Sequence, residues 1–189
     1  KNTVAAALDG QFRSLKFFSD ARHYPSTCAA ALDVTEVPEE VYDNLIEAVH
    51  ANMDKMYRYV ALRKKLLGVD ELHMYDVYTP IVADADSEIT YEEAKATVLE
   101  ALAVLGEDYT DLLKEGFANR WIDVYENTGK RGGAYSSGNS YPHPYVLLNH
   151  KDNLDSMFTL AHEMGHALHS YHSCKYQPVN TAAYVIFVA

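Results

Sequence analysis

Two histidines four residues apart, His162 and His166, constrain the fold of this chain most strongly, because their side chains converge when the segment is helical. With Glu163 they form the sequence H-E-x-x-H. Four residues at about 100° each turn roughly 40° past a full circle, so both imidazoles leave one helix face about 6 Å apart along the axis. The spacing therefore predicts a helix on which His162 and His166 bind a single zinc ion.

Glu163 is the predicted general base. It points about 100° away from His162, which is close enough to reach a water on the metal but poorly placed for binding the metal itself. Zinc polarises a scissile carbonyl and acidifies water, and a carboxylate can take the proton and pass it to the leaving amine. The three residues predict a zinc-dependent peptidase. The alternative is a non-catalytic helical module with a structural metal or none, and it leaves Glu163 without a use.

The third metal ligand is less clear, because two further histidines compete for it. His172 follows His166 by six residues, as the third histidine does in the metzincin pattern H-E-x-x-H-x-x-G-x-x-H. That pattern requires a glycine where this chain has His169. The helix is therefore expected to continue and carry His172 away from the metal. His169 lies on the stripe of His162 and His166, yet about 4.5 Å further along the axis. We expect His169 to support the ligands by a hydrogen bond, or to pack as a neutral imidazole.

Apolar residues at helical spacing predict a mainly α-helical fold. Thr90 and Glu93 have the spacing of a capping box, which marks the start of one of these helices. The predicted helices cover residues 4–18 with an interruption or bend near Gly10, 41–60 with an end at Gly68, 90–105, and 108–117.

A small β element is expected beside the zinc-binding helix. Residues 129–138 contain too many glycines for a helix, and residues 145–149 have strand composition after two prolines. Asp152 or Asn153 then caps the helix that carries H-E-x-x-H, which runs to about Ser173. The predicted fold is a multi-helix domain with this small β element.

Charge and composition restrict the partners and the compartment. The chain has 27 acidic and 16 basic residues, and no basic stripe that could follow a phosphate backbone. No apolar run approaches the roughly 20 residues of a membrane helix, and no secretory leader is visible. Cys28 and Cys174 form no C-x-x-C pair, which favours a reducing compartment. We expect a soluble, cytoplasmic protein that binds neither nucleic acid nor membranes.

Both ends of the chain look internal to a longer protein. Lys1 is not an initiating methionine, and residues 182–189 form an apolar run, whereas natural termini are usually polar. We expect residues 1–189 to be part of a single catalytic domain, truncated at both ends.

Three segments, 129–135, 144–149 and 159–170, resemble the M3 family of zinc oligopeptidases, and within it the oligoendopeptidase F branch. The most specific part is T-L-A-H-E-M-G-H-A-L-H-S, and the segments 5–10 and 17–22 resemble the family as well. The resemblance implies a mostly helical fold, a deep channel for short peptides, one zinc ion per site and a cytosolic enzyme. It also implies a glutamate as third zinc ligand, on a helix that follows Ala189.

The resemblance suggests a role for the β element, although the residues leave alternatives open. Residues 132–135 and 145–149 would line the cleft and pair with an extended peptide. A structural hairpin that supports the zinc helix fits the sequence equally well. Lys130 and Arg131 could meet a peptide carboxylate, but a solvated turn is the interpretation we favour.

Overall fold

The computed structural model describes residues 1–82, 88–138 and 141–185, which divide into two compact units, Lys1–Ile81 and Val82–Ala189. The described residues form seven α-helices and one three-stranded sheet, so the predicted fold class is confirmed. None of the described helices combines the length and the apolar character needed to cross a membrane.

The first unit is entirely helical. Its α1 is uninterrupted through Gly10, so the interruption predicted there is wrong. A single glycine costs a helix only about 1 kcal/mol relative to alanine, and ion pairs one turn apart, such as Arg13 with Asp9 at 2.7 Å, help to offset that cost. The helices are α1 (Asn2–Ala21), α2 (Thr27–Asp33), α3 (Glu39–Ala51) and α4 (Met53–Leu67), followed by a short 3₁₀ turn at Met74–Asp76.

The long helix predicted over residues 41–60 is two helices, α3 and α4, which meet at Asn52. Asn52 has φ −110° and ψ 4°, outside helical values. Its side-chain amide donates a hydrogen bond to the Ala48 carbonyl at 2.7 Å. Asparagine side chains compete with the backbone in this way, and the apolar periodicity gives no warning of it.

The second unit contains three helices and the sheet. The capping box is confirmed, because the Thr90 hydroxyl accepts from the Glu93 N–H at 3.3 Å and the Glu93 carboxylate accepts from the Thr90 N–H at 2.9 Å. The helix that it starts ends earlier than predicted, and its last turn tightens into a 3₁₀ segment at Leu102–Leu105. The helices are α5 (Tyr91–Ala101), α6 (Glu107–Ala118) and α7 (Leu154–Tyr176).

The predicted β element is present as a three-stranded sheet in the order β1 (Ile122–Asp123), β3 (Tyr145–Leu147) and β2 (Tyr135–Ser137). The central strand β3 pairs in parallel with β1 and antiparallel with β2. The two-residue strand β1 was not predicted. Because β3 is central, β2 is an edge strand among the residues that the structure describes.

The core of the second unit surrounds α7, which packs against α5, α6 and the sheet. Gly116 allows a close approach of α6, since a Cβ atom there would lie 2.7 Å from the Met164 methyl group. Packing therefore fixes one face of α7 and leaves the opposite face accessible. The buried residues of this core cluster are Ala94, Val98, Leu112, Leu113, Trp121, Val146, Leu148, Leu160, Met164, Ala167 and Leu168.

Candidate metal centre

Helix α7 is capped where the sequence predicts. The Asn153 side chain accepts a hydrogen bond from the Ser156 N–H at 2.9 Å, and the Ser156 hydroxyl accepts from the Lys151 N–H at 3.0 Å. These contacts satisfy backbone donors at the helix start and set the direction of α7. The helix then continues for 23 residues to Tyr176, past both His169 and His172.

His162 and His166 converge at the accessible face of α7. Their Nε2 atoms are 3.1 Å apart, and their ring planes are nearly perpendicular at 86°. Two zinc–nitrogen bonds of about 2.05 Å that span this separation would meet at an angle of about 98°, close to the tetrahedral value. The same separation also suits a hydrogen bond between two imidazoles. The separation of the two Nε2 atoms therefore suits a shared metal ion.

Glu163 lies beside this pair and is 8% exposed. It lines a cavity of about 530 Å³ together with His162. The cavity wall also includes Asp155 and Phe158, which precede His162 on α7 by two turns and one turn. The base predicted from the sequence thus borders the same open space as one of the predicted metal ligands.

Within the described ranges, no group of three His, Cys, Asp or Glu side chains is arranged to hold a metal ion. His169 stacks face to face on Tyr184, with ring centroids 3.7 Å apart. His172 is exposed and stacks on Tyr176 at 6.0 Å. The continuing helix carries His172 away, as the missing metzincin glycine predicts. Asp155 lies about 10.5 Å along the axis from His162, too far to join it on one ion.

Tyr184 is a contact that sequence reasoning missed. Besides stacking on His169, its hydroxyl hydrogen bonds with the Ser170 hydroxyl at 2.9 Å and donates to the His166 carbonyl at 3.5 Å. Tyr184 belongs to a non-helical segment, and 18 residues separate it from His166. A contact between residues so far apart in the sequence cannot be predicted from helix or strand periodicity. From residue 186 onward, the apolar run noted at the chain end lies outside the described residues.

The prediction of a solvated turn is wrong for Lys130. Its side chain is only 4% exposed, and its ammonium group lies 3.3 Å from the Asp123 carboxylate. It also donates to the Tyr125 carbonyl at 2.7 Å. Lys130 is therefore a structural residue that holds the turn after β1 and is not available for a peptide carboxylate. Arg131 is exposed, as predicted.

A second cavity, of about 910 Å³, lies at the start of α7 between the 130–134 turn and the residues that follow β3. Asn149 shapes its wall by donating from its amide to the Arg131 carbonyl at 2.9 Å and the Gly133 carbonyl at 2.8 Å. His150 also lines it. The His150 ring is buried, and neither ring nitrogen has a hydrogen-bond partner among the described residues.

Tyr91 packs edge-on against the His150 ring, with centroids 5.3 Å apart. Burial raises the pKa of Tyr91 to about 12, and the negative charges that Glu92 and Tyr125 can carry add to the effect. This phenol therefore stays neutral through the whole physiological range. Its ring contacts His150, which lines the second cavity.

Known proteins resemble this chain over its full length. The family model described as Peptidase family M3 matches residues 1–189. Oligopeptidase PepF of Bacillus subtilis is 51% identical over 189 residues, which are all of this chain and 28% of that protein.

Two crystal structures agree with this relationship. A protein of Chlamydophila abortus assigned as a peptidase is 40% identical, with a TM-score of 0.81 over 99% of this chain and 31% of its own. Oligoendopeptidase-F of Enterococcus faecium is 33% identical, with a TM-score of 0.57 over 90% of this chain and 24% of its own. The resemblance read from the zinc-helix segment is confirmed, and the chain belongs to peptidase family M3.

Proposed function

We propose that this chain forms part of a zinc-dependent endopeptidase that hydrolyses short peptides. The observation that carries the proposal is the convergence of the His162 and His166 Nε2 atoms at 3.1 Å, with Glu163 lining the adjoining cavity. The chain spans 28% of the length of its Bacillus subtilis relative, which is named an oligopeptidase. Family membership and this name support the substrate class.

In this proposal His162 and His166 would bind the metal, and Glu163 would transfer the proton. When bound, zinc polarises the scissile carbonyl and acidifies the attacking water. The Glu163 carboxylate orients that water and accepts its proton as the carbon–oxygen bond forms. It then donates the proton to the leaving amine nitrogen as the carbon–nitrogen bond breaks. Because Glu163 has little exposure to solvent, little bulk water competes for its carboxylate. Its hydrogen bonds to the attacking water and to the leaving amine are therefore stronger.

A glutamate beyond Ala189 completes the zinc coordination in this proposal. Catalytic zinc usually has three protein ligands and one open position. The described residues offer two converging ligands and no third. In this proposal the third ligand lies on a helix that follows this chain, as the family resemblance implies, and both units belong to one catalytic domain of a longer cytoplasmic enzyme. Its partners are short peptides, with no role for nucleic acid or membranes.

Strand β2 is the proposed contact for the peptide backbone. It is an edge strand, and an extended peptide can add to a sheet edge through main-chain hydrogen bonds. Its end also supports the metal helix, because Gly138 fits closely against Ser170 of α7. The two roles are compatible, since the edge and the face of a strand make different contacts.

The test is metal removal and restoration in the intact protein. A chelator should abolish cleavage of a mixed peptide library, and zinc should restore it with one ion per protein by elemental analysis. Magnesium is the control and should not restore cleavage, because it prefers octahedral oxygen ligands over imidazoles. Cleavage that survives complete removal of zinc would contradict the proposal.

A further inference from the structure

The two cavities along α7 share part of their walls. Asp155 and Thr159 line the cavity of about 530 Å³ at Glu163 and also the cavity of about 910 Å³ at the start of the helix. The larger cavity therefore adjoins the proposed reaction centre along one face of α7. We propose that Asp155 at this junction selects peptides that carry a cationic group about three residues from the cleaved bond. This inference rests on the proposed peptidase function.

The spacing along α7 sets the subsite. Asp155 precedes His162 by seven residues, or about 10.5 Å along the helix axis. An extended peptide advances about 3.3 Å per residue, so a peptide lying along α7 reaches Asp155 about three residues from the bond at the metal. Phe158 stands between them, is 64% exposed, and offers an apolar contact for the intervening side chains.

The charges around the junction favour a cation. Asp155 is exposed and belongs to none of the ion pairs in the described ranges. Lys130 also lines the larger cavity, but its ammonium group is engaged by Asp123. The remaining charged wall residues, Glu126 and Lys151, offset each other. Asp155 is thus the charged residue that lines both cavities, and its carboxylate is free to meet an incoming cationic group.

A structural explanation of Asp155 competes with this one. Asp155 is the second residue of α7, where any carboxylate stabilises the helix through its macrodipole. Asp108 is the second residue of α6 and is exposed as well. Replacing either residue by asparagine removes the same helix contribution. Asp108→Asn is therefore a matched control for the structural role.

The experiment measures kcat/KM of the intact zinc-loaded protein on one N-acetylated neutral peptide and on variants with a single lysine at each position around the cleaved bond. The wild type should favour lysine over alanine at one position, about three residues away, by about three- to fivefold, the size expected for an exposed charge pair. Asp155→Asn should remove this preference, whereas Asp155→Glu and Asp108→Asn should keep it. Added salt should weaken it.

A second arm separates the two sources of cationic charge. Neutral peptides with a free amino terminus at increasing distance from the bond test whether an α-ammonium group serves in place of lysine. A preference in either arm that depends on Asp155 supports the inference and identifies the source. Equal preferences in wild type and Asp155→Asn, or the same loss in Asp108→Asn, would overturn it. If the zinc-loaded wild type cleaves none of the peptides, neutral or cationic, the proposed function itself fails, which is a distinct result.

Discussion

Glu163 is the residue whose role is easiest to isolate, because glutamine has nearly the same shape and can remain in the same buried position. Glu163→Gln should lower kcat of the intact protein by about 10²- to 10⁴-fold, since the amide can hydrogen bond to water but cannot accept its proton. Zinc content by elemental analysis should stay unchanged, because the proposed ligands are the histidines. Near-normal turnover in this variant would rule out Glu163 as the base.

The histidine pair could be anticipated from the sequence because its geometry is local. Two residues four apart on one helix meet whatever surrounds them, and the 3.1 Å separation follows from helix geometry and rotamers. Tyr184 and Lys130 could not be anticipated, because their contacts join segments whose relative position is set by the tertiary fold. The burial of the His150 ring could not be anticipated for the same reason.

Gly138, which follows β2, packs so closely against α7 that no additional side-chain atom fits there. A Cβ atom at Gly138 would lie 2.4 Å from the Ser170 Cβ, which is fixed to the α7 backbone and cannot rotate away. Gly138→Ala should therefore destabilise the protein by about 1–3 kcal/mol, as overpacking does. Chemical denaturation monitored by circular dichroism would measure the change.

Gly132 provides the control for this prediction. It lies in the same glycine-rich segment, and a Cβ atom there would meet nothing within 4 Å. Gly132→Ala should change the free energy of unfolding by less than about 0.5 kcal/mol, which is typical of open surface positions. Equal effects of the two substitutions would show that the packing against Ser170 is not what makes Gly138 sensitive.

Helix starts were more predictable than helix interruptions. The capping residues Thr90 and Asn153 act within three residues of themselves, so their sequence signals are complete. At the break, the Asn52 side chain donates a hydrogen bond to the Ala48 carbonyl, and the apolar periodicity carries no information about that bond. Strand β1 has only two residues and exists because β3 lies beside it, so it has no pattern of its own.

For the whole molecule, alkaline pH should weaken the second unit through Tyr91. The pKa of Tyr91 is raised from 10.0 to about 12 in the folded state, so the folded protein holds this proton more tightly than the unfolded chain. The resulting stability is present below pH 10 and is lost as the pH rises toward 12.

Denaturation midpoints of wild type and Tyr91→Phe, compared at pH 8 and pH 11, test this, because phenylalanine has no proton to lose. The wild type should lose more stability than the variant over this interval. Tyr141 is 88% exposed, and Tyr141→Phe should behave like the wild type. Parallel pH profiles for wild type and Tyr91→Phe would contradict the assignment.

Because the proposed ligand set is incomplete within this chain, its affinity for zinc should be lower than that of the longer protein. The described residues contribute two of the proposed metal ligands and no third, so the 189-residue chain alone should bind zinc weakly and cleave no peptide, whereas the intact protein should bind one zinc ion tightly. Competition against a chromogenic chelator measures both affinities. Tight stoichiometric zinc in the 189-residue chain would mean that a ligand within it completes the site.

The contacts that Tyr184 makes with His169 and His166 have a consequence for biosynthesis. Tyr184 touches the ring of His169 and the backbone of His166, yet it follows His166 by 18 residues. Translation runs from the amino terminus, so the ligand pair leaves the ribosome before the residue that braces it. The backbone of His166 and the ring of His169 therefore gain their contacts with Tyr184 only after the segment around Tyr184 has emerged.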